Sequence, residues 1–119
     1  MAKQNLVLEK SFRFSLQIIE LYKLMIKQNE YVLSKQLLRC GTSIGANIEE
    51  AGAGFSKKDF TAKMSIASKE ARETKYWLRL IQASGLVDVP VNNLLIEIDE
   101  LISMLTAIVK TSQENSTTK

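Results

Sequence analysis

Phe60-Thr-Ala-Lys-Met64-Ser-Ile-Ala67-Ser-Lys-Glu-Ala71-Arg-Glu-Thr74-Lys-Tyr-Trp-Leu78-Arg-Leu-Ile81 carries the most regular apolar spacing in the chain. Its apolar and small residues, Phe60, Met64, Ala67, Ala71, Thr74, Leu78 and Ile81, step by 4, 3, 4, 3, 4 and 3. That is a heptad seam of the sort that packs helices side by side in bundles. Ser56-Lys57-Lys58-Asp59 in front of it resembles a capping box with Asp in place of Glu, and Ser84-Gly85 closes it.

Working outward, three more helices follow from the same spacing. Before the seam, Leu33, Leu37, Cys40, Ile44, Ile48 and Ala51 form one stripe of a helix predicted from about Tyr31 to Ala51. Gly41 and Gly45 lie inside it at up to ~1 kcal/mol each relative to Ala, so another backbone is expected close by. Gly52-Ala53-Gly54 is expected to end this helix through a positive φ. After the seam, a helix is predicted to start near Pro90, with Leu94, Ile98, Leu101, Leu105 and Ile108 inward and Leu95, Ile102 and Val109 widening the face. The first helix is predicted from Leu6 to Lys27, with Asn5 as N-cap and Leu8, Phe12, Ile19, Tyr22 and Ile26 as its recurring apolar row. Gln28-Asn29-Glu30 breaks it. Helices of about 20 residues are about 30 Å long, and short connections make neighbours antiparallel. The fold class expected is all-α, an up-down-up-down four-helix bundle over residues 1–110, with a polar tail at 111–119 that frays.

Composition narrows the chemistry. Of 119 residues 45% are hydrophobic and 24% charged, enough for a core without disulfide or metal. There are 5 Gly and 1 Pro, which disfavours a turn-rich β fold. The chain has no His, which removes the usual general base, triad partner and commonest metal ligand. Its single Cys allows no internal disulfide. No catalytic residue, metal or cofactor is therefore expected, and the protein is expected not to be an enzyme. Met1-Ala2-Lys3-Gln4-Asn5 opens no secretory signal, and the expected location is the cytoplasm, with Cys40 reduced.

The informative residues lie off the core stripe. With Phe60 at zero on a helical wheel, Lys57, Lys75, Arg79 and Arg72 cluster at about 60–120°. Ile66, Trp77 and Leu80 fall at about 200–260°, among Glu70 and Glu73. On the preceding helix Val32, Arg39, Ser43, Ala46 and Glu50 share a small-sided outer face. Arg39, Ser43, Glu50, Ile66, Glu70, Glu73, Trp77 and Leu80 thus compose a candidate subunit interface. The plainer alternative is that Trp77 packs at the edge of its own bundle. Residues 57–79 carry seven bases against three acids, a net +4, whereas 80–109 carry four acids and no base. The two segments either dock on one another, within or between subunits, or leave a surface for an anionic polymer. Lys57, Lys58, Arg72, Lys75 and Arg79 are the candidate nucleic-acid contacts, through phosphates and without base-specific readout. An ordinary solvated face would look much the same.

Other features have structural readings. The Gly41–Gly54 region lacks the Gly-Lys-Ser/Thr ending of a phosphate loop. Asn47 is expected to bridge to a facing group, such as the Gly52–Ser56 turn. Glu50, Glu70 and Glu73 could suggest a di-iron cluster, but such sites use Glu-x-x-His pairs, so ion pairing is expected. Cys40, on the core stripe, is expected to be buried and inert.

Two motifs carry a family resemblance over about residues 8–110. One is Arg39-Cys-Gly-Thr-Ser43-Ile-Gly-Ala-Asn47-Ile48-Glu-Glu50-Ala51, followed by Gly54, Ser56, Asp59 and Phe60; the other is Ile66-Ala67-Ser-Lys69-Glu70-Ala71-Arg-Glu73-Thr74-Lys-Tyr76-Trp77-Leu78. With both, the chain resembles the bacterial four-helix-bundle proteins named for reading frames in intervening sequences of 23S ribosomal RNA genes. Members often have Gly where this chain has Ala51. The resemblance implies a ring, typically a homopentamer. It extends to the accessory protein of diversity-generating retroelements, a related basic bundle that associates with a reverse transcriptase and nucleic acid. The expected function is a non-enzymatic homo-oligomeric scaffold that holds RNA, DNA or a nucleic-acid enzyme through its basic surface. A pure protein-interaction module is the alternative.

Overall fold

A computed structural model describes residues 2–117, with side chains from 5 to 115. Four helices account for nearly all of it: α1 (Ala2–Lys27), α2 (Leu33–Gly52), α3 (Lys57–Ser84) and α4 (Asn92–Thr117). Each packs on its sequence neighbour and α4 closes on α1. The α2–α3 seam is the most extensive and α1–α4 the thinnest. The result is an antiparallel bundle of 53 × 23 × 22 Å.

The expected stripes of α2, α3 and α4 point inward. Leu37, Cys40, Ile44, Ile48 and Ala51 meet Met64, Ala67, Ala71, Thr74, Leu78 and Ile81, with Leu94, Ile98, Leu101, Leu105 and Ile108 completing the layer. Phe60 and Leu33 sit half-buried at its rim. Gly41 does permit close approach, whereas at Gly45 an added Cβ would sit in ordinary contact. A Cβ at Gly41 would lie 2.9 Å from Ile18 Cγ1, and one at Gly45 would lie 3.5 Å from the Ser11 carbonyl oxygen.

Helix α1 departs from expectation. Its buried row is Val7, Ser11, Phe14, Ile18, Leu21 and Met25, not the row of Leu8, Phe12, Ile19, Tyr22 and Ile26. Phe12 is 60% exposed and Ile19 36%. The two rows lie one residue apart, about 100° on the wheel, and both keep helical spacing. Gly41 favours the inner row, because Ile18 packs over it where a Cβ would intrude.

Several helix ends also differ. Asn5 lies inside α1, so it caps nothing. The cap of α2 comes from Glu30, whose carboxylate accepts the N–H groups of Val32, Leu33 and Ser34 at 3.1, 3.0 and 2.7 Å. Burial pushes this carboxyl pKa upward, but those donors outweigh it and hold it below the usual range. Neither Gly52 nor Gly54 takes a positive φ; α2 ends with Ala53 at φ −99. The caps of α3 form as expected, Ser56 Oγ accepting the Asp59 N–H at 3.0 Å and Gly85 adopting φ 63. Helix α4 begins at Asn92, two residues after Pro90, and continues through Thr117 into the stretch expected to fray. Ser112 there is buried and hydrogen-bonded to Thr61. Thr118 and Lys119 lie outside the described residues.

Candidate interaction surfaces

The α2–α3 seam gathers half of the expected interface residues into one network. Arg39 reaches from α2 to Glu70 at 3.3 Å and Glu73 at 2.5 Å. Trp77 Nε1 donates to the same Glu73 carboxylate at 3.0 Å, and the Tyr76 ring meets the indole edge-on at 5.2 Å between centroids. Trp77 is half-buried against the core. In the single subunit it therefore packs at the bundle's edge, and the acids beside it are answered by this chain's own Arg39. Glu50 stands apart with Lys63 at 2.7 Å. Ser43 accepts from Asn47, whose amide reaches the Ser43 carbonyl at 2.8 Å and its hydroxyl at 3.1 Å. The expected bridge from Asn47 to the Gly52–Ser56 turn is not made, because an acceptor one turn back on its own helix is nearer. Ile66 is exposed and Leu80 half-buried.

The basic row of α3 is divided along its length. Its middle is engaged by α4, with Lys75 paired to Asp99 at 2.7 Å and Arg72 donating to Thr106 Oγ1 at 3.2 Å. So the basic and acidic segments dock on each other within the chain, at least there. Lys57, Lys58, Lys69 and Arg79 are exposed and form no ion pair among the described residues. Lys57 and Arg79 are 22 residues apart, about 33 Å along the helix.

Two features escaped the sequence reading. The first is that α1 carries two apolar rows and that the one expected to face inward is the outer one, where Phe12, Leu16 and Ile19 are exposed beside half-buried Leu8, Tyr22 and Ile26. The adjacent-pair pattern 7/8, 11/12, 14/15, 18/19, 21/22, 25/26 was the available signal. The second is Phe55, fully exposed in the α2–α3 turn; it belongs to no stripe, so periodicity says nothing of it.

Among the described residues no group of three His, Cys, Asp or Glu could hold a metal. Burial pushes the Cys40 thiol pKa up, leaving a neutral, packed side chain. A shallow groove between α1 and α4 is lined by Lys10, Arg13, Gln17 and Glu97. Its two bases are already paired, Lys10 with Glu100 and Arg13 with Glu9. Among the described residues no helix is long and apolar enough to cross a membrane.

An antiparallel four-helix bundle whose distinctive residues sit on its outer faces is the class that fold and surface define. The chain belongs to the 23S rRNA-intervening sequence protein family, whose model matches residues 3–107. It is similar to a crystal structure from Bacteroides thetaiotaomicron, a protein of unknown function from the S23 ribosomal protein family. That chain is 43% identical, with 91% of this chain and 98% of that one covered and a TM-score of 0.84. No curated protein matches it.

Proposed function

We propose that this protein works by contact and not by catalysis. Copies associate into a homo-oligomer, and the assembly holds RNA, DNA or an enzyme acting on them against the basic residues left free on α3. A ring, with five copies as the resemblance suggests, would repeat those bases around one particle. The observation that carries this reading is the doubled seam of α1. One apolar row fills the core, and beside it Phe12, Leu16 and Ile19 stay exposed while Leu8, Tyr22 and Ile26 are half-buried. Burying a large apolar side chain is worth about 1.5–3 kcal/mol, so a row of them is a strong bias toward a helical partner surface. Support for the polyanion half is the unpaired state of Lys57, Lys58, Lys69 and Arg79.

The second reading, a protein-interaction module without nucleic acid, is favoured by a specific contact. Lys75–Asp99 neutralises the middle of the basic row inside the subunit. Sedimentation velocity across a concentration series, followed by fluorescence anisotropy with labelled RNA and DNA across a salt series, separates the readings. A monomer at every concentration sinks the assembly. An oligomer that binds neither nucleic acid at low salt, or binds without salt dependence, leaves the protein module. Phe12→Ala and Trp77→Ala report which face joins the copies: the reading expects Phe12→Ala to cause the larger loss of mass.

A further inference from the structure

We propose that the α2–α3 turn is a stacking finger for single-stranded nucleic acid, with Phe55 on an unpaired base and Lys57 and Lys58 on neighbouring phosphates. The inference rests on the nucleic-acid half of the function proposed above and names the form of the ligand. It starts from the full exposure of the Phe55 side chain, while every residue from Gly52 to Asp59 is exposed with it. Phe55 is not a core residue that has lost its place, because Phe60 fills the rim of the core one turn further on.

The turn is also held at both ends. On its near side the Ala53 and Gly54 N–H groups return to the Glu50 and Ala51 carbonyls at 3.1 and 3.2 Å. On its far side Ser56 caps α3 through the Asp59 N–H, and its carbonyl accepts from Phe60 at 3.0 Å. One residue between two fixed points keeps its ring in solvent instead of folding back on the bundle.

An aromatic ring presented this way, followed two and three residues later by ammonium groups without ion pairs, matches the alternation of base and phosphate in a strand. Every base offers a π-face, so such stacking tolerates any sequence. A duplex offers its faces only at its ends, because paired bases are already stacked. The finger therefore selects unpaired strands, and an oligomer repeats it once per subunit.

The test is anisotropy with labelled 20-nucleotide single-stranded RNA, single-stranded DNA and a duplex of the same length. Wild type should bind both single strands more tightly than the duplex. Phe55→Ala should weaken single-strand binding by about tenfold or more, and Phe55→Tyr should restore it. Lys57→Gln with Lys58→Gln should flatten the slope of log K against log salt by about 1.4, from ~0.7 per phosphate on a single strand. Since Phe55 touches nothing in the subunit, the melting temperature should stay put in the Ala variant. Salt-dependent binding that is indifferent to Phe55→Ala, or that prefers the duplex, overturns the finger and leaves the proposed function standing. Failure of the wild type to bind any of the three probes removes the finger together with the nucleic-acid half of the proposed function. A lower oligomer mass in Phe55→Ala, with strand affinity per subunit unchanged, assigns the ring to a contact between copies and also overturns the proposal.

Discussion

Helices α1 and α3 each carry an apolar stripe besides the one that faces the core, and the two stripes have different fates. On α3 the stripe of Ile66, Trp77 and Leu80 is threaded with Glu70 and Glu73, and Arg39 from α2 arches over it. Trp77 settles half-buried, its indole N–H satisfied by Glu73. On α1 the outer row of Phe12, Leu16 and Ile19 has no such cover, and its side chains face solvent. Apolar residues mixed with opposite charge can be dressed from within one chain. A bare row at heptad spacing has no such answer within the subunit, and the proposed assembly is what would cover it. The pairing of charge around a stripe is thus a better guide to surface use than the stripe's hydrophobicity.

The largest effect that would break this comparison comes from two phenylalanines on adjacent rows. Phe14→Ala should cost about 3–5 kcal/mol in urea unfolding, as it empties a fully buried site. Phe12→Ala should cost well under that in the monomer and lower the oligomer mass instead. Equal losses of stability in both would place Phe12 in the core and dissolve the contrast. A middle-sized effect is expected where α2 selects the inner row. Gly41→Ala drives a Cβ to 2.9 Å from Ile18, and overpacking of about 1–3 kcal/mol outweighs the ~1 kcal/mol that Ala adds to a helix. The melting temperature should fall; a rise would mean that α1 can slide to its other row at little cost. The smallest effect concerns the dressing of α3. Arg39 is half-exposed, so Arg39→Ala should lose about 0.5–1 kcal/mol, less at high salt. A loss above 2 kcal/mol, unchanged by salt, would show the network to be a buried element of the fold.

Three of the four helices could be read from spacing because in each only one row keeps an unbroken step of threes and fours. The seams of α2, α3 and α4 were visible residue by residue, as were the Ser56 cap and the Gly85 turn. The inward face of α1 was not. Val7, Ser11, Phe14, Ile18, Leu21 and Met25 step by 4, 3, 4, 3 and 4; so do Leu8, Phe12, Ser15, Ile19, Tyr22 and Ile26. Each row contains one serine. Nothing local separates them, and the difference lies on another helix, where Gly41 leaves room for Ile18. The end of α2 misled for a different reason. Glycines usually mark a positive φ, yet here Ala53 closes the helix with a negative one. Of the candidate surfaces, residue identities were legible, but their partners were not. That Lys75 finds Asp99 while Lys57 finds no carboxylate depends on where α4 lies against α3.

The thin seam between α1 and α4 has a consequence for how the bundle comes apart. Every other seam joins helices consecutive along the chain, so most native contacts have short sequence separation, a topology that folds fast. Only the first and last helices must find each other across the whole polypeptide, and they have the least to hold on to. The outer pair should therefore fray from the α2–α3 hairpin before the hairpin itself yields, giving earlier amide exchange in α1 and α4 and a two-helix kernel that opens last.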